Sequence, residues 1–249
     1  MKSFTKTFKN TIYGTSVLFV IILLWIILST TKQNELIFPS LSKILSQVGQ
    51  IFTEQNLNIL LLSILRLLFS VLFALGVSFF IAFLYIWKKE SIVFFNPIIR
   101  IMRSVPFIAL SIFIILAFGN RLAPYVICEL VIIPIAVQGI INGIDNIDSS
   151  LIDDLKLYNN NFWKALLYVY IPITLPTIIT TTLQIFGLGF KVIIMGEYLS
   201  QTPNSIGKAL YYAQSFHKMD DVLAWTIIIV FITTIIEVIL NKYKQIIHK

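Results

Sequence analysis

Long apolar runs alternate with short polar segments along the whole chain. Most runs are close to the length of about 20 residues that a helix needs to cross the hydrocarbon core of a bilayer. The polar segments between them hold prolines, glycines or paired charges, which are typical of helix ends. The pattern predicts an all-α membrane protein with six transmembrane helices in a single domain, 1–249, and the spans are expected at 11–29, 58–87, 97–118, 124–143, 172–199 and 222–240.

Two segments near the N-terminus need separate treatment. The first apolar run has no small-residue cleavage site behind it, so we expect it to be retained as a span rather than removed as a signal peptide. The segment after Pro39 has apolar residues at helical spacing (Leu41, Ile44 and Val48), and Ser40 stands where an N-cap residue would. This second segment predicts an amphipathic helix at the membrane interface.

Composition and charge fit a membrane protein. Hydrophobic residues make up 57% of the chain and charged residues 12%, whereas a soluble domain has about 25% charged residues. The net charge of +7 would suggest nucleic acid in a soluble protein. In a membrane protein, basic residues instead gather on cytoplasmic segments. We therefore expect the lipid bilayer as the surroundings and no nucleic-acid partner.

The distribution of basic residues predicts which side each terminus occupies. Six spans place both termini on one face, and that face carries twelve lysines and arginines against five on the other. Since basic residues favour the cytoplasmic side, both termini and the segment 145–171 are expected in the cytoplasm. The twelve are Lys2, Lys6, Lys9, Lys88, Lys89, Arg100, Arg103, Lys156, Lys164, Lys242, Lys244 and Lys249, and the five are Lys32, Lys43, Arg121, Lys208 and Lys218.

Motifs of catalysis and metal binding are absent from the sequence. There is no GxxxxGK[ST] phosphate loop, no GxSxG and no HExxH. With two histidines and the single Cys128, neither a side-chain metal cluster nor a disulfide framework is expected. The chain is therefore expected not to be an enzyme, and transport or a structural role in a membrane complex remains.

The polar stretch 145–171 is unusual between two apolar spans. Asp153 and Asp154 fall in the first turn of a short amphipathic helix, where the helix dipole favours negative charge. The asparagines that begin at Asn159 favour a helix end, and a second amphipathic segment, 162–170, follows them. Two short helices joined by a turn would form a compact cytoplasmic knob, which suits docking into the groove of a partner.

This stretch resembles the cytoplasmic loop of bacterial ABC importer permeases. The family pattern is Glu-Ala-Ala, three residues, Gly, nine residues, a hydrophobic residue, any residue and Leu-Pro. Here Asp-Asp-Leu at 153–155 stands for Glu-Ala-Ala, Asn159 stands for Gly, Val169 is the hydrophobic position and Ile-Pro at 171–172 stands for Leu-Pro. The spacing is kept without a gap, although Asp replaces Glu, both alanines are lost and Asn replaces Gly.

Resemblance to the same family extends from about 38 to 240. The segments that carry it resemble permeases grouped with nitrate, sulfonate and taurine uptake. They are FPSLSKIL followed by LLLSILRLLFSVLFALG, then NPIIRIMRSVPFIAL, GIDNIDSSLIDDL and MGEYLSQTPNSIGKALYYAQ.

The resemblance implies the type I importer fold in the bacterial cytoplasmic membrane. Two permease copies, expected to be identical, would meet around a central pathway, and an extracytoplasmic substrate-binding protein would dock outside. The cytoplasmic loop would act as a coupling helix in a groove of a separate ATPase subunit, which would bind ATP and Mg²⁺. The residues expected to dock there are Asp153, Asp154, Leu155, Asn159, Phe162 and Trp163.

Several ionisable residues fall inside the predicted spans, where charges are costly and face a partner or a cavity. Glu129 and Lys191 either pair inside the bundle or line the pathway. Glu197 falls on the family's Glu position and is either a gate element or a fold anchor. Arg66, near the end of its span, is expected to extend to the interface.

The sequence thus predicts the permease subunit of an ATP-driven importer for a small polar or anionic solute, of the sulfonate, taurine, nitrate or vitamin-precursor type. Ser104 and Pro106 are further candidates for lining its pathway. Two other classes stay open. The charges inside the spans would suit an ion-coupled secondary transporter, and a scaffold subunit that transports nothing would need none of these roles.

Overall fold

The computed structural model describes residues 16, 19–32, 34–152 and 161–247. Four of the expected docking residues, Asp153, Asp154, Leu155 and Asn159, lie outside the described residues. The other two, Phe162 and Trp163, are described and begin a helix.

All regular structure in the described part of the chain is helical, which confirms the all-α class. Four helical stretches are long and apolar enough to cross a membrane: Asn56–Trp87, Phe107–Asp145, Phe162–Ser200 and Met219–Val238. The count of six spans and the side of the termini therefore stay predictions.

The helices are α1 (Phe19–Lys32), α2 (Leu41–Ile51), α3 (Glu54–Trp87), α4 (Ser91–Ser104), α5 (Phe107–Asp145), α6 (Phe162–Ala165), α7 (Ile171–Ser200), α8 (Ile206–Ser215) and α9 (Met219–Ile247), with a π-helical turn at Leu166–Tyr170.

The third span expected at 97–118 is not a single helix. Helix α4 ends at Ser104, Val105 is extended (φ −80°, ψ 125°), and α5 begins after Pro106. Proline has no N–H to continue the helix and disfavours a helical residue before it, which explains the break. Helix α5 is itself interrupted at Gly119 (φ 73°, ψ 169°), a backbone conformation open to glycine alone.

A second difference concerns the segment 162–170, which was expected as a separate short helix. Helix α6, the π-helical turn and α7 instead follow one another without a break. Pro172 cannot donate a backbone hydrogen bond, and its ring would collide with the preceding helical turn. The wider turn, in which the N–H of Ile171 donates to the carbonyl of Leu166, accommodates that proline within one continuous rod.

The chain divides into two compact units, one of Met1–Asn56 with Leu210–Ile228 and the other of Leu57–Ala209 with Ile229–Lys249. Within the first unit, the Trp25 ring lies 5.8 Å from the Phe38 ring, and its Nε1 donates to the carbonyl of Pro39 at 3.2 Å. These contacts hold α1 to the start of α2. The helix expected after Pro39 is present as α2, which buries Ile44 and Ile51.

The second unit is built on α5 and α7, which run antiparallel in close contact. A Cβ atom at Gly196 would lie 2.9 Å from the Cα of Pro124, and one at Gly143 would lie 3.0 Å from the Cβ of Thr177. Small residues at such crossings let membrane helices approach closely. The pairing of 124 with 196 and of 143 with 177 establishes the antiparallel direction.

Helix α3 packs on this pair and gives the unit two distinguishable ends. One buried cluster joins α3, α4 and α5; its residues are Ile81, Ala82, Tyr85, Ile99, Val137, Ile140, Ile141 and Ile144. We call the end nearest this cluster the Phe83 end, and it comprises 81–87, 140–152 and 161–178. The opposite end, the Glu197 end, comprises 62–66, 120–125 and 197–207.

Candidate functional site

The carboxylate of Glu197 is buried and accepts hydrogen bonds from three different groups of the second unit. Its side chain is 0% exposed. The Ser63 hydroxyl lies 2.9 Å from both carboxylate oxygens, Nη1 of Arg66 lies 2.8 Å from Oε1, and the backbone N–H of Gly207 donates to Oε2 at 3.2 Å. A buried charge is tolerated when it is paired and hydrogen-bonded in this way.

Arg66, which was expected to extend to the membrane interface, is bound by groups of the second unit, and its place relative to the bilayer stays a prediction. Besides Glu197, its guanidinium donates to the carbonyl of Asn204 at 3.2 Å and to that of Pro203 at 3.1 Å, and the side chain is only 14% exposed. A carboxylate and two backbone carbonyls from residues 197–204, at the same end of the unit, satisfy the donors of the guanidinium.

The segment between α7 and α8 is held in place by this ion pair and by its own backbone geometry. Gln201 (φ 51°, ψ 42°) ends α7 in the left-handed conformation, and the Thr202 hydroxyl donates to the carbonyl of Asn120 at 2.8 Å. Gly207 has no room for a side chain, because a Cβ would overlap Glu197 and the backbone nitrogen of Tyr198. The sequence singled out Glu197 but not Ser63, which is 134 residues away in the chain, or Gly207, which contributes only its backbone N–H.

A polar cavity of about 360 Å³ opens beside the ion pair at the Glu197 end. Arg121 lines it, is exposed, and makes no ion pair with any residue that the structure describes. The full lining is Leu62, Arg66, Arg121, Leu122, Tyr125, Thr202, Pro203 and Asn204.

Glu129 lies in a second cavity, of about 330 Å³, between α3, α4 and α5. Its Oε2 atom is buried and lies near the hydroxyl of Ser70, and neither atom makes a hydrogen bond of normal geometry with a described residue. The other lining residues are Phe69, Phe73, Met102, Tyr125, Val126 and Leu130.

The expected pair between Glu129 and Lys191 does not form. Across the described ranges the ion pairs are Arg66–Glu197 and the exposed Lys43–Glu35. Lys191 is exposed. It follows Gly189, which faces α5, by two residues, so about 200° of helical rotation carries it away from that helix.

Ser104 and Pro106 are both exposed at the break between α4 and α5. The Ser104 hydroxyl donates back to the carbonyl of Ile101 at 3.1 Å. Met102, two residues earlier, lines the cavity of Glu129. The break and Glu129 thus share one region of the unit, while the pathway roles of these residues stay predictions.

The Phe83 end presents aromatic side chains next to the undescribed stretch 153–160. The side chain of Asn161 caps α6 by accepting from the backbone N–H groups of Trp163 (3.1 Å) and Lys164 (3.3 Å). The Phe83 ring centroid lies 5.7 Å from that of Phe162 and 5.9 Å from that of Trp163. Trp163 is nevertheless 61% exposed, so this surface is open to a partner.

The carboxyl of Asp148 shapes the start of the polar stretch at the same end. The backbone N–H of Ser150 donates to its Oδ1 at 3.0 Å. This bond favours the charged form and holds the pKa of Asp148 below its usual range. The charged side chain thereby caps the turn that begins at residue 149.

Long apolar helices, charges held inside them and an exposed polar connection define a multi-pass membrane protein. Residues 74–249 match the family model of the binding-protein-dependent transport system inner membrane component, which is most of the chain, and the chain belongs to that family. It is also 22% identical over 169 residues to a Bacillus subtilis protein named as an aliphatic sulfonates transport permease. That alignment covers 67% of this chain and 60% of the relative. The family resemblance drawn from the sequence is confirmed.

Proposed function

We propose that this chain is the permease subunit of an ATP-driven ABC importer in a bacterial cytoplasmic membrane. Two copies would enclose a pathway for a small polar or anionic solute that an extracytoplasmic binding protein delivers. A separate ATPase subunit would bind ATP and Mg²⁺, so this chain itself would catalyse no reaction. The family and the sulfonate-type relative support the proposal.

The observation that carries the proposal is the continuous helical rod from Phe162 to Ser200. Its 39 residues span about 58 Å at the usual helical rise. An exposed aromatic surface lies at its first turn, and the buried Glu197 cluster lies at its last. A displacement imposed at Trp163 by the ATPase would therefore pass to the opposite end of the unit as a rigid-body movement.

The exposed side chain of Lys191 supports a pathway along the same helix. Charged residues within membrane spans face a bundle interior, a partner or a water-filled cavity, since lipid solvates them poorly. Lys191 faces away from α5 and from the unit's core. A pathway between two copies would give it water, and Ser104, Pro106, Glu129 and Glu197 are proposed as further pathway or gate residues.

Substrate-stimulated ATP hydrolysis in liposomes tests the docking role. The assay uses the full importer with its binding protein. We expect Trp163→Ala to lower the stimulation by about tenfold, since exposed tryptophans often dominate interface energy. Asp153→Lys and Asn159→Pro should abolish it without loss of membrane insertion.

The matched control is Phe216→Ala, which removes an aromatic ring of comparable exposure (69%) that is not among the proposed docking residues, and it should leave stimulation unchanged. Wild-type stimulation in all three docking variants would contradict the proposal. Co-purification with a protein that carries a phosphate loop separates this proposal from an ion-coupled transporter and from a scaffold.

A further inference from the structure

The carboxyl of Glu129 is not explained by the fold. No described lysine or arginine pairs with it, because Arg66 is bound to Glu197 and Lys191 points away from α5. Its Oε2 atom is buried without a hydrogen bond in the described part of the protein. A buried carboxylate without a counter-charge is unfavourable, and a positive group that binds beside it would supply that counter-charge.

The cavity around Glu129 has the chemistry that recognises a cation. Phe69 and Phe73 from α3 and Tyr125 from α5 line it together with the carboxyl. The rings of Phe69 and Tyr125 are fixed in an edge-on arrangement with centroids 5.7 Å apart. Aromatic faces attract ammonium and guanidinium groups, and a carboxylate adds a charge-assisted contact.

The size of the cavity suits a small solute. Its volume of about 330 Å³ falls at the lower end of the range of about 300–1,000 Å³ that is usual for small-molecule sites. The other three lining side chains, Met102, Val126 and Leu130, are apolar, so few polar groups compete for the carboxyl and its attraction to a bound positive group would be strong.

We propose that the cavity of Glu129 binds a positively charged, ammonium-type group of the transported solute. This inference rests on the proposed transport function and narrows its substrate class. The solute is then a cation or a zwitterion, and an anion without a positive group, such as nitrate, does not fit the cavity.

Binding of two isosteric probes to the purified full-length chain in detergent tests the inference. Choline carries a quaternary ammonium, and 3,3-dimethylbutan-1-ol has the same shape without the charge. We expect calorimetry to show choline binding at least about tenfold more tightly than the alcohol. Equal affinities would show an apolar groove only and would overturn the inference, as would the absence of choline binding.

Variants locate the effect. Glu129→Gln should remove the preference for choline, whereas Glu129→Asp should retain it with weaker affinity. The control Glu90→Gln changes an exposed carboxyl in the turn before α4 and should bind both probes as the wild type does. A preference that survives Glu129→Gln would refute the assignment, and the wild-type comparison decides the question even if a variant fails to fold.

The two proposals can fail separately. Probe binding needs no ATPase, so selective choline binding without a co-purifying ATPase would contradict the importer and leave the cation site standing. Normal ATPase coupling with no selectivity for choline would support the importer and overturn the cation site.

Discussion

Glu197 and Glu129 both lie inside the second unit, on helices that pack against each other, yet only Glu197 has a counter-charge among the described residues. Glu197 receives hydrogen bonds from a hydroxyl, a guanidinium and a backbone N–H. Glu129 faces phenylalanine and tyrosine rings, and one of its oxygens has no partner in the described structure. The first arrangement is that of an anchor, in which loss of any partner strands a charge. The second leaves a charge available to a ligand.

The largest expected effect comes from breaking the anchor. Arg66→Ala would leave the Glu197 carboxylate buried without its counter-charge, at a cost of about 3–5 kcal/mol in the free energy of unfolding. Thermal unfolding in detergent should show a large loss of stability or no folded protein. Lys43→Ala is the control, because the exposed Lys43–Glu35 pair should contribute less than about 1 kcal/mol. Equal losses in the two variants would mean that the buried pair is no anchor.

A smaller loss is expected from crowding the anchor without touching its charges. Gly207→Ala places a methyl group against Glu197 and the backbone of Tyr198, and such overpacking costs about 1–3 kcal/mol. Gly76→Ala is its counterpart in α3, where a Cβ meets nothing within 4 Å. That control should gain up to about 1 kcal/mol from the better helix propensity of alanine. Chemical denaturation of both variants measures the difference in their free energies of unfolding. An unchanged free energy of unfolding in Gly207→Ala would contradict the prediction, since it would show that the backbone around Gly207 shifts to accept the methyl group.

The smallest effect on stability is expected at the second carboxyl. Glu129→Gln keeps the shape of the side chain and removes a charge that forms no ion pair with a described lysine or arginine. The free energy of unfolding should therefore change by less than about 1 kcal/mol, with the variant equal to or more stable than the wild type. Thermal unfolding of Glu129→Gln, Arg66→Ala and the wild type under the same conditions measures the difference in stability. A destabilisation as large as that of Arg66→Ala would make Glu129 a second anchor.

The local sequence was sufficient to predict most of the helices and several of the residues at which they begin or end. Helix α7, Ile171–Ser200, lies over the span expected at 172–199, and α2 begins directly after the Ser40 expected to precede it. Hydropathy and helical periodicity are properties of neighbouring residues, so they can be seen without the fold. The break at Pro106 could also have been predicted, since proline disfavours a helical residue before it, but the apolar run across it masked the signal.

Which charged residues pair with each other could not be predicted from hydropathy and helical periodicity. Glu129 and Lys191 fall at comparable depths along their spans, which made a pair plausible. Depth ignores rotation about the helix axis, and rotation turns Lys191 away from α5. Arg66 was expected at the interface because the carboxylate and two carbonyls that bind it come from residues 197–204, more than a hundred positions later.

By itself, the sequence determined the helical class, the membrane environment and the family, because composition, hydropathy and motif spacing are local and additive along the chain. Only the tertiary structure decided which carboxyl is bound and which is open. That choice depends on the close approach of α5 and α7 and on the angular position of each side chain around its helix. Arg66 and Glu197 are 131 residues apart in the chain, and only packing brings the guanidinium to one carboxylate while an aromatic cavity forms around the other.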